Sequence, residues 1–177
     1  MDKNDLRRIL MLRRENIAER ERKDAAIRKK VLAIAAKFPS TFIYVSMGSE
    51  VDTHAIISSL INTHSVYIPH TVGGEMHAVK YDGSPLRPDK FGNIYNSDLE
   101  FYDGQAGLTI VPLLGFNNER HRIGYGKGCY DGYFSLNPGG LKVGLAYDEQ
   151  LCDFTAENTD IPVDEIITPT TEIRRTE

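Results

Sequence analysis

Two stretches that interleave apolar with charged positions open the chain, and short, mostly apolar runs follow them. Residues 3–14 and 16–37 are rich in Leu, Ala, Lys, Arg and Glu and contain no Gly or Pro, so both are predicted to be helical. Phe42 to Ser46 reads as a buried strand, and Met47 to Thr53 as the loop after it. Asp52 or Thr53 can cap a helix over 54–62. Val66 to Ile68 reads as a short strand ended by Pro69, and Met76 to Lys80 as another. Residues 81–106 hold much Gly, Pro, Asn and Asp and show little periodicity, so they read as irregular. Leu108 to Pro112, Lys142 to Ala146 and Glu165 to Thr168 are three further strands, and Tyr130 to Leu136 a helix.

Short apolar strands separated by helical segments predict an α/β fold with a mostly parallel sheet covered on both faces. The expectation is one three-layer domain spanning 1–177, preceded by a long basic helical segment. No internal repeat, low-complexity tract or linker interrupts it. A length of 177 residues suits one domain with a real core. Ligands of such sheets gather beyond the carboxyl ends of the strands. Three loops are therefore candidates for one site: 47–53, 113–131 and 147–164, the last containing Asp160 and Asp164.

Composition narrows the class further. Apolar content of 41% and charged content of 26% are ordinary for a soluble globular protein. No run approaches the roughly 18 apolar residues of a membrane span, and no apolar signal-peptide core is visible at the start. The two cysteines, Cys129 and Cys152, form neither a disulfide framework nor a zinc pattern. A cytoplasmic address is the expectation. Charge is uneven: residues 1–37 carry 12 Lys/Arg against 6 Asp/Glu, and the remainder 9 against 19. The basic start could bind nucleic acid, an acidic partner or a phosphate ligand, or simply be a solvated helix. Its acids are interleaved with its bases and no recognition motif accompanies them, so neither nucleic acid nor membrane is expected as a partner.

Candidate chemistry concentrates in Arg122-Ile-Gly-Tyr-Gly-Lys-Gly-Cys-Tyr-Asp131. Glycines at alternate positions let a ligand approach the main chain, and successive free N–H groups make a concave anion site. Arg122 and Lys127 add positive charge, and Asp131 is a natural Mg²⁺ ligand beside phosphates. A Gly-rich turn that binds nothing is the competing reading. The run is not a P-loop, because no G-x-x-x-x-G-K-[ST] is present, and Cys129 stands where a dinucleotide fingerprint would need its third glycine.

The full run R-x-G-x-G-K-G-x-Y-D resembles the signature of the 5-formyltetrahydrofolate cyclo-ligases. Lys3-Asn-Asp-Leu-Arg7 is similar to that family's N-terminal K-x-x-L-R. Ser46 to Thr53 resembles its strand-end S-x-x-x-E-[VI]-x-T, and Val111 to Phe116 its V-P-G-L-A-F. Val143 to Ala146, Gln150 and Asp160 to Glu165 resemble its closing segment. The matches keep family order from residue 3 to 168.

The resemblance implies a compact α/β fold around a mainly parallel sheet. It implies ATP- and Mg²⁺-dependent conversion of 5-formyltetrahydrofolate to 5,10-methenyltetrahydrofolate, with a monomer or weak homodimer as the expected state. By resemblance, Lys3 and Arg7, four apart on one helical face, bind ATP phosphates. Arg122, Ile123, Gly124, Tyr125, Gly126, Lys127, Gly128, Cys129 and Tyr130 wrap the triphosphate, with Lys127 and Arg122 at the transferred group. Asp131 and Asp160 match the magnesium positions. Glu50 accepts the pterin N–H groups, while Val45, Met47 and Tyr125 line the folate pocket. Taken singly, each has a plainer alternative: Glu50 as a solvated loop acid, Val45 or Met47 as core, Tyr125 as an exposed loop aromatic.

Three departures from the family pattern stand out. Cys129 replaces the first tyrosine of Tyr-Tyr-Asp, Asn117 replaces an aspartate after Phe116, and Phe91 to Asn96 replaces a G-I-x-E-P motif. Two further functions fit the same residues: a non-catalytic nucleotide- or folate-binding relative, or an ATP-dependent enzyme acting on another formyl compound. The five histidines carry no assignment.

Overall fold

The protein is described by a computed structural model covering residues 2–88, 94–95 and 100–175. Helix α1 spans Lys3–Glu15 and α2 Arg20–Ala35, followed by β1 (Ser40–Ile43), α3 (His54–Leu60), β2 (Ser65–Val72) and β3 (Glu75–Lys80). Three short strands come next, β4 (Arg87–Pro88), β5 (Ile94–Tyr95) and β6 (Phe101–Tyr102). Then β7 (Leu108–Val111) leads through the hairpin β8 (Gly115–Phe116) and β9 (Arg122–Ile123) into α4 (Cys129–Leu136). The chain ends with β10 (Leu141–Leu145), a 3₁₀ turn over Asp148–Gln150, β11 (Glu165–Ile167) and β12 (Glu172–Arg174).

Eight strands form one sheet in the order β12-β11-β10-β7-β1-β2-β3-β6. The five from β11 to β2 run parallel, and β12, β3 and β6 add antiparallel edges. Adjacent strand residues face opposite sides. Ile43, Ile110, Leu145 and Ile167 therefore pack under α2 and α3 with Ile27, Val31, Ile56 and Leu60. Their neighbours Phe42, Val111, Ala146 and Ile166 pack under α4 with Tyr133 and Phe134. This α/β architecture is the one the hydrophobic pattern predicts.

The chain goes from β1 to β2 on one side and from β7 to β10 on the other. Strands β1 and β7 are neighbours, so their carboxyl ends flank the point where the winding reverses. That is where open α/β sheets leave a crevice. Helix α1 crosses this end, burying Leu6 and Leu10 against Leu114 and Ile123. Leu10 is fully buried, and cutting it to Ala would cost about 2–5 kcal/mol.

Several boundaries depart from expectation for identifiable reasons. Strand β1 lies at Ser40–Ile43 rather than 42–46. After Tyr44 the chain leaves the ladder: the Thr53 hydroxyl donates to the Tyr44 carbonyl at 2.7 Å and accepts the Ser46 N–H at 2.9 Å. Thr53 holds the N-cap position of α3 with its side chain thus engaged, and it is Asp52 that accepts the His54 N–H. Pro69 does not end β2, which runs on to Val72. The Tyr81 N–H bonds the Val66 carbonyl, so alternate residues from Val66 face β3 and Pro69 faces the other side. Pairing with β1 stops at Tyr67, so Pro69 lacks no needed donor. The second helix starts at Arg20, after Glu19 in a left-handed conformation. The stretch read as irregular, 81–106, contains β4, β5 and β6, whereas the divergent Phe91 to Asn96 lies largely outside the described residues.

Candidate active site

A cavity of about 510 Å³ opens beneath the glycine run at the carboxyl end of the sheet. Lys3, Arg7, the whole run Arg122–Asp131, and Asp160 line it. Residues from three distant parts of the chain thus meet. The run bends sharply: Gly126 has φ of 88°, and Gly128, at the N-cap of α4, has φ of 64°. Both values favour glycine. A side chain at Gly126 would also press on the Arg7 guanidinium, 3.1 Å from the position of its Cβ.

Arg7 and Lys3 project from one face of α1 into the cavity wall. Arg7 Nε donates to the Gly124 carbonyl at 3.0 Å, and Nη1 to Asn4 at 2.7 Å. Lys3 Nζ lies 2.8 Å from Glu157 Oε1 and 3.1 Å from Asp160 Oδ2. The Glu157 contact foremost raises the Lys3 ammonium above its ordinary value. Burial pushes the Asp160 carboxyl up, but the Glu157 N–H and Lys3 outweigh it and hold the group below the usual carboxylate range. An ammonium has three donors, so Lys3 keeps one for a ligand. The Lys127 side chain makes no hydrogen bond or ion pair among the described residues, and it stands exposed at the rim.

Arg122 is committed to the protein. Its side chain is 5% exposed, Nη2 meets Asp131 Oδ1 at 2.9 Å, and Nη1 donates to the Ile161 carbonyl at 2.7 Å. The Ile161 N–H returns to Asp131 Oδ1 at 3.1 Å. Arg122 thereby fixes both the first turn of α4 and the segment carrying Asp160. Asp131 Oδ2 and Asp160 Oδ1 have no hydrogen-bond partner among the described residues. Two hard oxygen donors beside cations and open backbone suit Mg²⁺, which takes one or two carboxylates and fills its shell with phosphate and water.

A second constellation adjoins the run. The Tyr125 hydroxyl donates to Glu50 Oε1 at 2.6 Å, and Glu50 Oε2 accepts the Met47 N–H at 2.8 Å. Arg14, buried and not singled out by sequence, donates to the Tyr125 hydroxyl at 2.8 Å, Ser49 Oγ at 3.0 Å and the Leu113 carbonyl at 3.1 Å. Withdrawal from water and then the Glu50 carboxylate push the Tyr125 hydroxyl well up, so it keeps its proton at neutral pH. Burial and then Glu50 do the same for Tyr130. Of the residues proposed for the folate pocket, Met47 is 50% exposed and Val45 is buried in the core beside Tyr44 and Val51. Cys129 is half-buried, its sulfur 3.8 Å from the Lys127 carbonyl. Glu157, Thr159, Met76 and Pro112 also line the cavity without having been picked from sequence. For Arg14 a signal existed: residues 3, 7, 10 and 14 share one helical face.

Residues 1–169 match the 5-formyltetrahydrofolate cyclo-ligase family. The chain is 30% identical to the 5-formyltetrahydrofolate cyclo-ligase of Mycoplasma genitalium, over 94% of this chain and 98% of that one. It is similar to the solution structure of Aquifex aeolicus 5,10-methenyltetrahydrofolate synthetase, with a TM-score of 0.86 and 26% identity over 98% of this chain and 93% of that one. The corresponding values for the 5,10-methenyltetrahydrofolate synthetase of Mycoplasma pneumoniae are 0.74 and 25%, over 96% and 99%. Among the described residues no helix is long and apolar enough to cross a membrane.

Proposed function

This chain belongs to the 5-formyltetrahydrofolate cyclo-ligase family and is a ligase, and from that premise we propose that it closes 5-formyltetrahydrofolate to 5,10-methenyltetrahydrofolate while ATP becomes ADP and phosphate. The formamide oxygen is a poor leaving group, and ATP makes it a good one. In the first step that oxygen attacks the γ-phosphorus; the bond to the β–γ bridging oxygen breaks and ADP leaves. The product is an N5-iminium phosphate. N10 then attacks the formyl carbon and loses its proton. Phosphate departs with the C–O bonding pair, leaving the N5–C–N10 amidinium.

The protein's share is positioning and charge neutralisation. The single observation that carries the reading is the convergence of Lys3, Arg7 and Lys127 on the glycine run, with Asp131 and Asp160 at the same wall. Lys127, on the run itself and without a partner among the described residues, fits the transferring phosphoryl group. Lys3 and Arg7 fit the rest of the triphosphate. Arg122 acts from beneath by holding Asp131. Asp131 and Asp160 would hold Mg²⁺, which supplies Lewis-acid neutralisation of the phosphate oxygens. Glu50 accepts N–H groups of the pterin, and Tyr125 borders the same pocket. The chemistry calls for a site at the carboxyl end of the sheet where a nucleotide and a flat heterocycle meet edge to edge, and the Gly run and the Glu50 loop adjoin there.

The test mixes the protein with 5-formyltetrahydrofolate, ATP and Mg²⁺ and follows the ultraviolet absorbance of the methenyl product. An ATP- and Mg²⁺-dependent rise is expected. No rise with both ligands still bound would mean a binding relative. ATP turnover only with a different formamide would mean another substrate.

A further inference from the structure

Helix α1 holds the glycine run at two points seven residues apart. Arg7 grips the nucleotide side, through the Gly124 carbonyl at 3.0 Å and contact with Gly126. Arg14 grips the folate side, through the Tyr125 hydroxyl at 2.8 Å. The three residues they hold, Gly124, Tyr125 and Gly126, belong to no helix or strand. Arg14 also bonds Ser49 in the Glu50 loop and the Leu113 carbonyl after β7. Arg20 ties that loop to α1, donating to the Ser49 carbonyl at 2.7 Å and to the Arg14 carbonyl at 2.5 Å.

The orientation of the Tyr125 proton follows from these contacts. A phenol has one proton to donate, and Arg14 can only donate. With Arg14 occupying a lone pair of the phenol oxygen, the proton points to Glu50 Oε1 at 2.6 Å. Glu50 is then held on two sides, by Tyr125 and by the Met47 N–H. A carboxylate has about four acceptor sites, so two remain for a planar ligand with adjacent N–H groups. Tyr125 thus sets the rotamer of Glu50 without using it up. Its hold depends on the glycine run lying where α1 places it.

From this we infer that Arg14 and Tyr125 are positioning residues that couple the two substrate sites: a nucleotide seated on the glycine run fixes Tyr125, and Tyr125 fixes Glu50 for the pterin. The inference rests on the folate reading of Glu50 given above. Such coupling is reciprocal, so each ligand tightens the other by the same factor. Arg14 cannot be replaced by lysine in this role, because one ammonium cannot span three acceptors in a fixed fork.

The experiment measures Kd for 5-formyltetrahydrofolate by titration calorimetry, with and without a non-hydrolysable ATP analogue and Mg²⁺. In the native protein the analogue tightens folate binding about tenfold, the worth of one hydrogen bond to a charged group. In Tyr125→Phe, which removes one oxygen from a residue 43% exposed, the factor falls to about one and KM for folate rises more than kcat falls. Arg14→Lys, checked for folding by its thermal transition, behaves likewise. Native turnover combined with undiminished coupling in Tyr125→Phe overturns this inference alone. Absence of turnover in the native protein removes the folate reading and the inference with it.

Discussion

Replacing Asp131 by Asn separates two tasks that one carboxylate performs. Oδ1 serves the fold, receiving Arg122 Nη2 at 2.9 Å and the Ile161 N–H at 3.1 Å. Oδ2 has no partner among the described residues and is the oxygen proposed above for Mg²⁺. An amide of the same shape keeps an oxygen at the first position and puts an NH₂ at the second. What the fold loses is the charge on one hydrogen bond to Arg122, about 1 kcal/mol. At this chain length that lowers Tm by about 2–4 °C. Asp131→Ala is harsher, because it strands a guanidinium whose side chain is 5% exposed. Breaking a buried pair costs about 3–5 kcal/mol, and Asp131 is itself 32% exposed, so about 3 kcal/mol is the expectation. Activity ranks the variants differently. Losing an anionic oxygen at the metal costs several kcal/mol of transition-state stabilisation, about 100-fold or more in kcat for both. Thermal melts paired with turnover over a Mg²⁺ series read both effects. Full turnover with unchanged Mg²⁺ dependence in Asp131→Asn would remove the residue from the metal site. Equal destabilisation by Asn and Ala would show that charge alone, and not the hydrogen bonds at Oδ1, holds this corner together.

Three other outcomes follow from the same structure. Gln150→Leu removes a buried amide that donates to the Leu113 and Leu114 carbonyls at 2.9 and 3.0 Å and accepts the Tyr147 N–H at 2.8 Å. Arg14 still donates to the Leu113 carbonyl, so the Leu114 carbonyl and the Tyr147 N–H are the groups left unpaired; about 2–4 kcal/mol is expected to be lost, read as a lower urea midpoint at unchanged m, and a loss under 1 kcal/mol would contradict it. Gly140→Ala puts a Cβ 2.4 Å from the Ala106 carbonyl oxygen at φ of 73°, so on the order of 2–3 kcal/mol is expected from strain and displacement, and a neutral variant would be inconsistent with that turn. The Lys3–Asp160 contact is pH-sensitive in a definite direction. Asp160 has its folded value lowered, so its contribution is present above the unfolded value and is lost as pH falls through the folded one, below about pH 4. The Tm gap between native protein and Lys3→Met should therefore shrink on acidification below that pH, and a gap that widened would reverse the assignment.

The sequence by itself determined the elements whose stability is local or whose pattern is strong. Helix α1 needs only good helix formers, and Asp2 caps it by accepting the Asn4 and Asp5 N–H groups. Strands β7, β10 and β11 are short apolar runs because a parallel sheet buries both their faces. Strands β6 and β12 were not legible, since two or three half-exposed residues become a strand only when a neighbour supplies the ladder. Pro69 misled for the same reason: whether a missing N–H matters depends on which side of the strand has a partner.

The glycine run was legible as an anion cradle, since φ above zero and open backbone are properties glycine carries anywhere. Its ordered companions at Lys3, Glu50 and Asp160 named a family. Only tertiary structure decided which of those residues are tied to the protein and which are left open. It buried Arg122 under α4, where it holds Asp131 in place, and left Lys127 of the same run without a hydrogen bond or ion pair among the described residues. It brought Arg14, a residue that helical spacing merely put on the same face as Arg7, between the Glu50 loop and Tyr125. Partnership of that kind depends on distances between segments more than a hundred residues apart along the chain, as between Arg14 and Tyr125. Chain folding sets those distances, and residue type alone does not encode them.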